Sequence, residues 1–140
     1  MRKTIVNWTD NSGYSLIELY SDQSYKSFVP NSETEWMVQD NYVLLKSDVT
    51  VYLFQGGTLK LGILATDLLL NVFGVSVLVA ADIKIEFHSN GKISSIVLAP
   101  QPSWIPWRKN WKYQGKSYRP GTRLEFSEVG RNVKWGFACG

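Results

Sequence analysis

Residues 82–99 read DIKIEFHSNGKISSIVLA, and this stretch decides the fold. Apolar side chains alternate through Ile83, Ile85 and Phe87, break at Asn90-Gly91, and resume at Ile93. A period of two is a strand signal, because successive side chains on a strand point to opposite faces. Asn-Gly between two such runs predicts a two-residue type I′ hairpin turn, in which both central residues need positive φ.

Working outward, the same pattern recurs. IELYSDQSYKSFV (17–29) aligns with IEFHSNGKISSIV (85–97) at an offset of 68, with five of 13 positions identical. VYLFQGGTLKLGILA (51–65) aligns at an offset of 34, which places Gly57 on Gly91, Ala65 on Ala99 and, further back, Asp48 on Asp82. LEFSEVGRNVKWGFA (124–138) aligns at an offset of 39, with Glu125, Phe126 and Gly130 on Glu86, Phe87 and Gly91. Four hairpins at a period near 34 follow, preceded by a leading strand at Thr4–Trp8. Between them, Trp36–Leu45, Leu68–Val79 and Trp104–Tyr118 have strand character of their own, which predicts three or four short strands per repeat. A period of this length usually marks an array in which each unit buries its face on its neighbours.

The run Ile-Glu-Phe-His-Ser-Asn-Gly-Lys-Ile at 85–93 resembles the NGK-type hairpin repeats of bacterial MORN-like proteins. The resemblance covers residues 17–138, with the motif clean only in 82–99; the other turns carry Ser21-Asp22-Gln23, Gly56-Gly57 and Gly130. It implies a β architecture and an interaction or scaffold role, with no shared catalytic set. The expected fold is a single all-β antiparallel domain over 1–140, built as a repeat sheet or solenoid. The alternative is a closed small β-barrel, which removes edge strands and can enclose an apolar ligand.

Composition sets limits. The chain is 44% hydrophobic and 14% aromatic, too apolar for an ordinary disordered protein. The lone cysteine, Cys139, cannot build a disulfide framework. No apolar h-region follows the basic start MRK, and the run Leu68–Ala81 is interrupted by Asn71 and short of a membrane span. The expectation is a cytoplasmic protein without membrane contact. One histidine and one cysteine cannot make an ordinary zinc site, and no nucleotide or nucleophile-elbow motif occurs, so neither cofactor nor metal is expected. Net charge is split: residues 1–100 hold seven basic against ten acidic residues, and 101–140 hold eight against two.

Two sets of residues stand out. In the basic–aromatic stretch, Trp104, Trp107, Arg108, Trp111, Lys112, Tyr113 and Tyr118 interleave rings and cations with no acid from Ser103 to Arg123. Such a face can stack on planar ligands and neutralise phosphates or carboxylates, although a loop whose rings cap the core gives the same pattern. Glu18, Glu86 and Glu125 occupy equivalent positions, with Tyr52 in the remaining copy. On a one-sided sheet they face solvent; in a barrel lumen they would be candidates for acid–base catalysis. His88 reads as an exposed residue beside the hairpin tip, and Asp48 and Asp82 as strand-entry turns.

The leading expectation is a non-catalytic β-repeat binding module that uses the basic–aromatic face. The competing class is a small β-barrel enzyme or carrier with cyclase- or isomerase-like chemistry on an apolar or aromatic molecule. Single-stranded nucleic acid is a weaker candidate, since the first 100 residues are net acidic. The partner is therefore expected to be a protein or a small apolar or aromatic ligand. Open sheet edges would also invite a homodimer.

Overall fold

The computed structural model describes residues 4–6, 13–39, 41–100, 110–130 and 134–137, and among these it forms strands and no helix. Nine strands make one antiparallel sheet: β1 (Thr4–Val6), β2 (Tyr14–Leu19), β3 (Tyr25–Pro30), β6 (Val51–Leu53), β7 (Leu59–Ile63), β10 (Lys84–Phe87), β11 (Ile93–Val97), β14 (Thr122–Glu125) and β15 (Lys134–Phe137), in that spatial order. Three two-stranded hairpins complete the structure: β4 (Thr34–Val38) with β5 (Asn41–Leu45), β8 (Leu68–Val72) with β9 (Val75–Val79), and β12 (Trp111–Tyr113) with β13 (Lys116–Tyr118). Each full repeat thus contributes two sheet strands and one small hairpin. The sheet stays open, with β1 and β15 unpaired to each other among the described residues, so the barrel alternative is set aside.

The repeat is written into the backbone. Gln23, Gly57, Gly91 and Gly130 all have positive φ, at successive spacings of 34, 34 and 39 residues. Asp48, Asp82 and Gly121 repeat at 34 and 39, again with positive φ, which confirms the two aspartates as strand-entry turns. The tips of the small hairpins, Gln39, Phe73 and Gln114, follow at 34 and 41. The insertion in the third repeat therefore falls before β12, and part of it is recovered before Gly121.

The turn at Asn90-Gly91 differs from the two-residue form expected. Only Gly91 has positive φ, the Gly91 amide donates to the His88 carbonyl (2.9 Å), and the His88 amide donates to the Lys92 carbonyl (2.8 Å). This is a three-residue loop, a type I turn closed by a left-handed residue. Asn90 leaves the left-handed region because its Oδ1 accepts the Lys92 amide at 2.9 Å, a local bond that favours the right-handed turn. Asp22 does the same for Ser24. The longer loop leaves one extra residue on the return strand. Phe87 faces Ile93 but Glu86 faces Ser95, so Ser94 is a bulge, and Lys60 and Lys26 are bulged at the equivalent sites.

The small hairpins lie side by side over one face of the sheet. The base of the first is tied on by Lys46 N–H to Ile63 O (2.8 Å) and Ala65 N–H to Leu44 O (2.9 Å). One repeat on, Ala80 donates to Val97 and Ala99 to Leu78. Neighbouring hairpins are pinned together by the Asn41 carboxamide, which both donates to and accepts from the Asn71 backbone, and by Trp111 Nε1–H to Ser76 O at 3.0 Å. Between the layers lies one continuous core, to which the sheet gives residues such as Ile85, Phe87 and Leu124, and the hairpins Val43, Val72, Val77 and Val79. No helix among the described residues is long and apolar enough to cross a membrane.

Candidate functional site

The alternation that sends Ile17, Ile85 and Leu124 into the core sends their neighbours to the opposite face of the sheet. Strand pairing threads these neighbours into one row: Glu18, Ser27, Tyr52, Leu61, Glu86, Ser95 and Glu125 stand opposite one another in turn. At about 4.8 Å per strand, Glu86 and Glu125 are about 10 Å apart and Glu18 and Glu86 about 19 Å. Carboxylates perturb each other strongly only within about 4–6 Å. Glu18 is instead engaged by the bulged Lys26, 3.5 Å away, and Glu125 is exposed. The three glutamates therefore lie on an open face, not in a lumen, and do not form an acid–base pair.

The bulges give the row a second feature. Lys26 lies over the Tyr20 ring at 5.8 Å and Lys60 over the Phe54 ring at 5.6 Å. Tyr20 also donates its hydroxyl to Leu53 O, at 2.8 Å, in the next repeat. His88, the matching residue two repeats on, donates Nε2–H to Phe126 O at 2.7 Å, because a carbonyl can only accept. The histidine expected at an exposed tip is half-buried and ties one repeat to the next. In the middle of the face, Tyr52 is exposed at 43%, beside half-buried Leu61, Ile63 and Val29. Lys84 and Glu86, the partners of Ile63 and Leu61 on β10, bound this apolar patch. Further along, Arg123 reaches back to donate to the buried Ser95 hydroxyl at 3.2 Å.

The basic–aromatic stretch is divided. Trp104, Trp107 and Arg108 lie outside the described residues. Trp111, Tyr113 and Tyr118 are core residues, each no more than 6% exposed. Trp111 stacks on Tyr113 at 5.0 Å, and both meet Phe126 edge-on. Their rings are not available to a ligand, which corrects the expected stacking face at these three positions. The reason is strand alternation on β12: Lys112, between two buried rings, points to solvent. Burial raises the Tyr113 hydroxyl above its ordinary pKa, with Tyr118 adding to the effect, and the hydroxyl donates to Gly130 O.

Three surface recesses lie elsewhere. One of about 250 Å³ is bounded by Gln39, Asn71, Phe73 and Lys92. One of about 480 Å³ lies between Met37 and Gln39 and the turns at Gly57 and Asn90. An apolar one of about 270 Å³ is lined by Tyr42, Val43, Leu44 and Leu68, with Glu35 at its margin. The repeated glutamates take no part in these three. Among the described residues no group of three or more His, Cys, Asp or Glu side chains is placed to hold a metal.

The central patch was not anticipated from the sequence, but its signal was there. Tyr52 is the one residue that departs from glutamate in its alignment column, and that is where the polar row turns apolar. Comparison with known proteins finds no matching family model, no matching curated protein and no matching solved structure.

Proposed function

We propose that the protein is a non-catalytic β-repeat module of the cytoplasm that binds a partner protein through the outer face of its nine-stranded sheet. The observation that carries this reading is the row from Glu18 to Glu125, which spreads its carboxylates across the sheet and sets Tyr52 and Leu61 between them, with Ile63 two residues along the strand from Leu61. An exposed aromatic with aliphatic neighbours inside a charged rim is the composition of a protein-binding hot spot. The resemblance of 82–99 to MORN-like hairpins supports the same role.

The test places a photoreactive amino acid at Tyr52 in the full chain, expressed in its own cell. The reading expects one defined adduct with a second protein, lost when Leu61→Lys or Ile63→Lys is added. The same adducts from a probe at solvent-facing Lys92, or an adduct that survives both lysine substitutions, would overturn it.

A further inference from the structure

The outer side of the small-hairpin layer is a second surface, opposite in the molecule to the sheet face. Cross-strand pairing arranges its outward residues as a grid. The first hairpin presents Glu35 beside Leu44, and Met37 beside Tyr42. The second presents Leu69 beside Leu78, and Asn71 beside Ser76. The third presents Lys112 beside Ser117. Met37, Tyr42 and Leu69 are each more than half exposed.

Charge runs across this grid in one direction. The described residues of 31–45 contain Glu33 and Glu35, both exposed, and no base. Residues 66–81 contain Asp67 and no base. Residues 110–119 contain no acid, and of their bases Lys112 faces outward and Arg119 is exposed beyond it, while Lys116 pairs with buried Tyr113. The order of the three hairpins is fixed by the Asn41–Asn71 and Trp111–Ser76 hydrogen bonds. The surface is thus acidic and apolar at one end, apolar in the middle and basic at the other.

We infer that this face docks a second copy of the chain. A two-fold axis lying in the interface along the second hairpin reverses the order of the hairpins and sets the first against the partner's third. The acidic end then meets the basic end twice, once on each side of the axis. Leu69 and Leu78 stand on either side of that axis, so Leu69 meets Leu78 of the partner subunit at the centre. Tyr42 comes over against Lys112 of the partner subunit, where a ring and a cation attract. A surface whose two ends carry opposite charge about an apolar middle is self-complementary, the requirement for an isologous interface. From strand spacings, the layer measures about 29 by 17 Å, which is roughly 1,000 Å² for both copies and the lower limit for a specific interface. The dimer is therefore concentration-dependent and salt-sensitive.

The experiment is sedimentation equilibrium of the full chain over a wide concentration range at low and high salt. Wild type is expected to move from monomer to dimer, with weaker association in high salt. Leu69→Asp should abolish association with an unchanged circular dichroism spectrum. Glu35→Lys should weaken association at least tenfold, and adding Arg119→Glu, at the position the same axis sets against Glu35 in the partner subunit, should restore most of the loss. A monomer at every concentration overturns the inference, as does a dimer that survives Leu69→Asp or a charge exchange that rescues nothing. The sheet-face reading is tested at position 52 on the opposite surface, so either can fail without the other.

Discussion

Phe73, at the tip of the second small hairpin, lies against Gly130, in the last sheet turn, so closely that a Cβ on Gly130 would stand 2.7 Å from the ring's Cγ. Gly130 also has a φ of 78°, where an L side chain costs about 1–2 kcal/mol. Gly130→Ala therefore carries both strain and overpacking and should destabilise by about 2–4 kcal/mol. Gly56, with a φ of 101° and open space around it, should lose only the backbone part on substitution by Ala. Urea midpoints compare the two, and equal losses would mean that the Phe73 ring gives way freely.

Gln23 holds the same left-handed position in the first repeat, at a φ of 73°, without being glycine. Gln23→Gly should stabilise by about 0.5–1 kcal/mol, the relief of strain less the entropy glycine loses on folding. A fall in the urea midpoint would show that the Gln23 side chain makes compensating contacts.

The bond from Tyr20 to Leu53 and that from His88 to Phe126 are one device in two repeats, and Phe54 holds the matching position between them without a polar atom. Tyr20→Phe should cost about 0.5–1.5 kcal/mol, the usual net value of one hydrogen bond. Phe54→Tyr should gain up to about the same, because it supplies a hydroxyl where the Phe87 carbonyl is expected. Thermal unfolding of the two variants, moving in opposite directions, is the check.

Tyr113 predicts an alkaline response. Its pKa is raised above the ordinary 10.0, chiefly by burial, so the folded state favours the neutral hydroxyl. That stability is complete below pH 10 and is lost as pH rises through the folded pKa. Denaturation curves for wild type should therefore fall off above pH 10, and Tyr113→Phe should flatten that fall.

Trp111→Ala should cost about 3–5 kcal/mol as a core truncation, while Lys112→Ala, one residue away, should stay within about 0.5 kcal/mol. A Trp111→Ala protein that unfolds at the wild-type urea midpoint would return the ring to the surface. Glu18→Gln, Glu86→Gln and Glu125→Gln should each shift stability by less than about 1 kcal/mol, as exposed and partly exposed carboxylates do.

The repeat was legible in the sequence because its markers are local. Gly57, Gly91 and Gly130 announce left-handed backbone, and the alternation at Ile83, Ile85 and Phe87 announces a face. The type of turn was not legible, since Asn90 can enter the left-handed region or bond forward to Lys92, and the longer loop with its bulge at Ser94 won. The direction of the rings in the basic–aromatic stretch was hidden for a similar reason. Trp111, Lys112 and Tyr113 look like one patch in line, yet a strand splits them between two surfaces. The placement of the glutamates depended on whether the sheet closes, a long-range property that no local pattern encodes.

The bonds Lys46 to Ile63 and Ala80 to Val97 are identical couplings one repeat apart, and each leaves its unit with a donor side and an acceptor side of the same form. Such a chain has no built-in length. Duplicating one 34-residue unit in frame would add two strands to the sheet and about 10 Å to its width, with every turn, bulge and tie already supplied. The protein can thus grow or shrink by whole rungs, and the span of its outer face is a quantity that gene duplication can set.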